Sequence, residues 1–186
     1  MVDKVRRVIT GQTPEGKSVF SHVEEVRRRD LQQGMKWYGV WGWDELPTLP
    51  YLYEGSYEPR SVFPGKDGMR INAIVFPPQF GLTQTGDPMP SEEMMKLAKA
   101  QDPGGVHPDP ETGMHWTNTI DFGIVIEGEL VSIQDDGAEV TLRQGDLYVQ
   151  NGAMHAWQNR TDKPCTIYIL NLGVPRAEGG EPTGGK

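Results

Sequence analysis

From Thr119 onward the chain is cut into short runs by turn residues. Thr119–Ile126 ends at Glu127-Gly128, Glu129–Gln134 at Asp135-Asp136-Gly137, and Ala138–Arg143 at Gln144-Gly145. Asp146–Gln150, Met154–Asn159 and Cys165–Leu172 follow in the same style. Runs this short leave no room for long helices. Turns this tight make neighbouring strands antiparallel, with Asp-Asp-Gly the strongest hairpin signal. Frequent Gly (23) and Pro (15) punctuate the rest of the 186 residues in the same way. The prediction is an all-β sandwich or barrel.

The N-terminal half supplies further strands. Val5–Thr10 and Lys17–Val23 flank a TPEG turn, and Glu24–Gly34 reads as a helical turn or a loop. Its basic run Arg27-Arg28-Arg29 is a solvated face among acids and glutamines. Met35–Trp43 alternates, which places Trp37, Gly39, Trp41 and Trp43 on one face, as core or interface. Pro47–Asp67 is a long irregular connection, of the kind that is functional or mobile. In Gly68–Phe76, Ile71, Ala73 and Val75 share one face and Arg70, Asn72 and Ile74 the other. Gln79–Thr112 is insertion-like, and Ser91–Gln101 within it is predicted to be a short helix with Ser91 as N-cap. The domain is expected to span 1–175, with its core motifs in 113–173 and the insertion in 79–112 placed as a lid at the barrel mouth. The Gly-, Pro- and Glu-rich 176–186 reads as a disordered tail.

Composition removes several classes of partner. The net charge of −8 argues against nucleic acid, which needs clustered Lys and Arg. MVDKVRRVIT has no apolar core region or cleavage site, and no apolar run approaches a spanning helix. The expectation is a cytoplasmic protein with no membrane partner. The single cysteine, Cys165, fits a reducing compartment and reads as a small packed strand residue.

Two polar clusters carry the chemistry. GMHWTNTIDFGIVIEG holds His115, Thr117 and Asp121, and GDLYVQNGAMHAWQN holds His155. Residues two apart in a strand face one side, so His115 and Thr117 share a face, and Asp121 keeps that parity if no bulge intervenes. His155 arrives from another strand. Two imidazoles and a carboxylate form the facial triad associated with non-haem iron(II), and zinc uses the same ligands with a water. Thr117 is a poor ligand, suited to hydrogen-bonding a bound water or Asp121. Trp116, Trp157, Met114 and Met154 are assigned to the opposite, outer face. His107 is either an acid/base group near the mouth or a surface-loop histidine, and His22 reads as a strand residue of the same bland kind. Arg70 is a candidate carboxylate anchor, with Asn72 beside it on the same face.

These clusters resemble the two motifs of the cupin superfamily. The first reads His115-x-Thr117-x3-Asp121-x6-Gly128, and the second Gly145-x6-Gly152-x2-His155-x3-Asn159. Thr117 stands where the family has its second histidine, Asp121 where it has glutamate, and Asp109 where it has the leading glycine. The second motif lacks the family's proline and is one residue shorter between its glycines. The resemblance implies a single-domain cupin jelly-roll β-barrel, with the helical insertion near its mouth, that forms a homodimer. Its metal would be held by His115, Asp121 and His155, with iron(II) ahead of zinc, manganese and nickel. The expected activity is that of a metal-dependent enzyme on a small oxygenated or carboxylated molecule, either an iron(II) dioxygenase or a metal-assisted lyase or decarboxylase. The alternatives are a metal-free small-molecule-binding module and a metal-free isomerase.

Overall fold

A computed structural model of the chain describes residues 4–82, 106–109 and 114–182. The strands are β1 (Arg6–Gln12), β2 (Ser18–Glu25), β3 (Arg28–Asp30), β4 (Lys36–Trp43), β5 (Met69–Phe76), β6 (Val106–Pro108), β7 (His115–Thr117), β8 (Thr119–Glu127), β9 (Glu129–Gln134), β10 (Glu139–Arg143), β11 (Leu147–Gln150), β12 (His155–Gln158) and β13 (Cys165–Gly173). They form a β1-β2 hairpin, a five-stranded sheet ordered β10-β9-β12-β7-β6 and a six-stranded sheet ordered β11-β8-β13-β5-β4-β3. Every pairing is antiparallel. The all-β expectation holds. The predicted helix at Ser91–Gln101, and most of the insertion with it, lies outside the described residues. Glu24–Gly34 becomes the short strand β3 and a single 3₁₀ turn at Gln32–Gly34. Among the described residues, no helix is long and apolar enough to cross a membrane.

The two large sheets close over a shared interior. Leu130 and Leu142 come from the five-stranded sheet, and Phe76, Val125, Cys165, Ile167 and Ile169 from the six-stranded one. A fully buried aliphatic side chain of this kind contributes about 1.5–3 kcal/mol, so this cluster dominates the stability. The alternation of β13 continues from Cys165, Ile167 and Ile169 to Asn171, and there the interior changes from apolar to polar. On the other side of the same sheet, Phe122, Leu147 and Val149 remain exposed. The turn from β8 to β9 depends on Gly128, whose φ of 84° lies in the left-handed region and whose missing Cβ would sit 2.5 Å from the Pro164 carbonyl oxygen.

The tryptophan stripe of β4 does not stay on one face. Gly39 pairs with Asn72, but Trp41 pairs with Ile71, so Val40 is an extra residue forming a bulge. Trp37 therefore faces the interior, while Trp41 and Trp43 turn to the outer side. There Trp41 stacks on Tyr57 at 4.6 Å and meets Tyr53 edge-on at 5.0 Å. Buried Arg7 binds Glu24, the carbonyl oxygens of Val40 and Tyr57, and the face of the Tyr57 ring at 5.0 Å. These contacts fasten the β1-β2 hairpin and the Pro- and Tyr-rich connection onto the barrel.

Cys165 is fully buried in the apolar cluster, and burial, reinforced by Glu127 and Glu129, pushes its thiol up to about 12. A thiolate is the reactive species, so the native protein should resist alkylation by iodoacetamide at pH 8.5 and react fully in denaturant. Mass spectrometry showing rapid native labelling would contradict this packing.

Candidate active site

His115 and His155 are Cα partners across β7 and β12, which puts both imidazoles on one face of the five-stranded sheet. Their ring centroids are 4.4 Å apart. The Nδ1 of His155 lies 2.8 Å from the Ala153 carbonyl oxygen. A carbonyl can only accept, so Nδ1 carries the proton and Nε2 presents its lone pair to the interior. Burial holds His155 below the ordinary histidine range. His115 is lowered further, by burial and by repulsion from His155. Burial thus favours the neutral form of both imidazoles.

Trp157 lies two residues after His155, so strand parity puts it on the same face, not on the outer face expected for it. It packs against the apolar cluster, 5.5 Å edge-on to His155 and 5.2 Å from Tyr148. Trp116 does face away. His107 stacks on one side of its ring at 3.9 Å, and the Arg176 guanidinium lies 4.4 Å from it. His107 pairs with Trp116 across β6 and β7 and so stands on the side opposite His115. Burial and Arg176 lower its pKa, and its Nε2 has no partner among the described residues. Arg176 also binds the Asn118 side chain and the Thr117, Gly152 and Gly180 carbonyls, which ties the start of the C-terminal segment to both motifs.

Asp121 does not join the histidines. Among the described residues, no three His, Cys, Asp or Glu side chains converge as a metal-holding group. The chain bends at Asn118 and changes sheets there, because β7 belongs to the five-stranded sheet and β8 to the six-stranded one. His115 and Asp121 therefore both face the interior, as parity predicts, but from different sheets. Its carboxylate belongs to a buried relay. The Trp37 indole donates to Asn72 Oδ1 at 2.7 Å, Asn72 Nδ2 donates to Asn171 Oδ1 at 2.8 Å, and Asn171 Nδ2 donates to Asp121 Oδ1 at 2.7 Å. The direction of donation is fixed, since an indole only donates and the Val62 carbonyl, 2.9 Å from Asn72 Nδ2, only accepts. Burial raises the Asp121 pKa, opposed by hydrogen bonds from Asn171 and Thr119. Thr117 is fully buried and bonds Thr119 at 2.8 Å, so it reaches Asp121 through that residue.

The remaining candidates are committed to protein groups. Asn72 has both amide atoms occupied by the relay and Val62. Arg70 gives Nη1 to the Trp43 and Met69 carbonyls and Nη2 to Asp44, and its buried Nε has no partner among the described residues.

Two interior residues escaped the sequence reading. Gln150 is paired with Asp121 in register, and its Nε2 donates at 3.1 Å to the same Ala153 carbonyl that holds His155. Tyr148 lies two residues earlier on the same face, with its ring over Gly123, where a Cβ would come within 2.1 Å of it. The alternation of Tyr148 and Gln150 against exposed Leu147 and Val149 was the available signal. Both residues line a cleft of about 330 Å³ where the edge strands β10 and β11 face one another.

The family model described as cupin domain matches residues 102–171. The chain is 35% identical over 88 residues to the phomopsin biosynthesis cluster protein C' of Diaporthe leptostromiformis, covering 47% of this chain and 43% of that protein. It is 44% identical over 54 residues to the cupin-domain-containing oxidoreductase virC of Hypocrea virens, covering 29% of this chain and 28% of that one. The matched segments thus span less than half the length of these relatives. Among solved structures, the cupin domain of Schizosaccharomyces pombe Cnp3 aligns with a TM-score of 0.46 at 8% identity, covering 90% of this chain and 87% of that one.

Two predictions follow from the geometry. Asn72→Ala strips partners from Trp37, Val62 and Asn171, and should lower the unfolding free energy in urea by about 2–4 kcal/mol. An unchanged midpoint would show that the relay carries no stability. The second concerns pH. Unfolded imidazoles titrate near pH 6.5, whereas His115 and His155 protonate lower in the folded chain. In that interval the unfolded state binds more protons, so stability is lost as pH falls below about 6.5. The melting temperature should be flat above about pH 7.5 and fall between about pH 6.5 and 5.5, with a shallower fall in His115→Gln. Parallel curves for the two proteins would refute the assignment.

Proposed function

We propose that this chain, whose residues 102–171 belong to the cupin domain family, is an oxidoreductase that transforms a small oxygenated organic molecule inside its barrel, with a divalent metal held by His115 and His155. The observation that carries the reading is the pairing of the two imidazoles, whose rings face one another across β7 and β12 at 4.4 Å. Burial favours the neutral, ligating form of both. His155 also has its Nδ1 proton on a backbone carbonyl, the arrangement that orients a metal-binding histidine. The name of virC as a cupin-domain-containing oxidoreductase agrees with the reaction class. Imidazole donors suit iron(II), zinc and nickel, and a bound metal would supply Lewis acidity or a site for dioxygen.

The protein's own groups have separate tasks in this reading. His115 and His155 hold the centre. Gln150 is fixed by the same carbonyl as His155. Asp121 is kept out of the ligand set by Asn171 and Thr119 and sets the electrostatics of the polar end. Trp157 and Leu142 exclude water on the apolar side. A second reading is favoured by the lack of a third converging acid or histidine among the described residues. In it the imidazole pair works without metal and passes protons between Nε2 and the substrate.

Metal analysis of untagged protein separates the two. The first reading expects about one iron, nickel or zinc per chain, lost in His115→Ala and His155→Ala and kept in Asp121→Asn. Wild-type protein that holds no metal, and whose melting temperature does not rise with added iron(II), nickel or zinc, would leave only the second reading. Loss of metal in Asp121→Asn would return Asp121 to the ligand set.

A further inference from the structure

The outer face of the six-stranded sheet is covered over only part of its width. At β4 and β5 it carries Tyr38, Ala73 and Val75, which pack with Val5 and Val26 at the base of the β1-β2 hairpin. One cross-strand row continues from there, through Tyr38, Ala73, Tyr168, Ile124 and Leu147. Along it exposure rises from 0% at Ala73 to 37% at Tyr168 and 77% at Leu147. In the next row Phe122 and Val149 are cross-strand partners, and both are exposed. The open half of the face thus belongs to β13, β8 and β11.

An antiparallel sheet with one wet face alternates apolar residues inward with polar residues outward. β8 and β13 do not. Between its inward Asp121, Gly123 and Val125, β8 turns Ile120, Phe122 and Ile124 outward, and β13 turns Tyr168, Leu170 and Leu172 to the same side. Strands that are apolar on both sides are those covered on both sides. The β1-β2 hairpin makes the contrast. Its exposed Val8, Phe20 and Val23 share their side with Arg6 and Glu25, as an ordinary solvated surface does. With strands about 4.8 Å apart and outward residues about 6.6 Å apart along each, the open half-face spans roughly 300 Å² of sheet plane. That is the scale at which an apolar patch marks a contact.

The charge of the chain points to what covers it. At a net charge of −8, two copies repel wherever their charged surfaces meet, so they can close only on a face that carries no charge. The outward residues of these three strands supply no Lys or Arg to hold anionic lipid. The stretch 83–105 leaves and rejoins the described residues at the other sheet, where Gly81 lies against the Trp157 carbonyl and β6 pairs with β7. A two-fold axis through the open half-face sets apolar rows against apolar rows. This is the self-complementary contact of a closed dimer, with sheets about 10 Å apart.

We propose that two copies of this chain form a closed dimer by packing the outer faces of β11, β8 and β13 together, with Phe122 and Tyr168 as aromatic anchors. The homodimer expected from the sequence thereby acquires a particular face, and nothing in it depends on a metal.

Sedimentation velocity on the full chain at about 20 μM should show a dimer. Leu147→Asp and Phe122→Asp each place a carboxylate on both sides of the contact, and should raise the dimer dissociation constant about 100-fold. Leu147 is exposed in the single chain, so Leu147→Asp alone decides if Phe122→Asp fails to fold, with circular dichroism as the check. Phe20→Ser, on the hairpin, should leave the dimer intact. Raising NaCl from about 0.05 to about 0.5 M should hold or tighten it, because salt screens the repulsion between acidic copies. A chain still monomeric at about 200 μM, an assembly larger than a dimer, a dimer untouched by Leu147→Asp, one lost in Phe20→Ser or one that salt dissociates would each overturn the proposal. So would a monomer that binds phosphatidylcholine vesicles and loses them in Leu147→Asp, which would assign the face to a lipid surface.

Discussion

The relay from Trp37 through Asn72 and Asn171 to Asp121 is the interaction on which the site depends. It links β4, β5, β13 and β8 through their side chains, across the interior of one sheet. Each member gives a hydrogen bond to the next, and the last acceptor is a carboxylate. In a low-dielectric interior such a chain is strong when complete and costly when any member is removed. It explains how a barrel can keep a carboxylate, two asparagines and a threonine pair almost wholly out of water. It also fixes the Asp121 carboxylate from β4, three strands away in the same sheet.

The interior is therefore graded. Apolar packing around Ile167, Leu130 and Phe76 fixes the spacing of the two sheets, and the relay fixes the polar end. The histidine pair stands on the facing sheet, where the Ala153 carbonyl orders both His155 and Gln150. Trp157 and Tyr148 join the two regions through ring contacts at 5.5 and 5.2 Å.

Much of this was legible in the chain. Turn residues such as Glu127-Gly128 and Asp135-Asp136-Gly137 marked the hairpins, since a left-handed glycine has few other uses at such places. The partnership of His115 with His155 was legible from spacing and from likeness to cupins. Counting along strands had limits. Parity from His115 to Asp121 gives the interior side for both, but it does not show the hand-over between sheets at the Asn118 bend. Trp157 was assigned to the wrong side because it is near His155 in sequence, although two residues on is the same face. The relay itself was out of reach, because Asn72 and Asn171 are 99 residues apart and neither belongs to a recognisable motif. Tyr148 was overlooked because its seat over Gly123 joins two strands that no motif links.

The bulge at Val40 has a consequence for descent and for engineering. It is one residue long, yet it decides which tryptophan holds Asn72 and which ones receive the tyrosines of the outer loop. Substitutions in β4 change one contact at a time, whereas an extra or missing residue there must be absorbed by the bulge or shift the register by one, which would turn every later side chain to the other face. Chain length in this strand is thus a more tightly held quantity than the identity of most of its residues. Relatives that share the relay should be aligned by the number of residues between their counterparts of Trp37 and Trp41, before any similarity of side chains is scored.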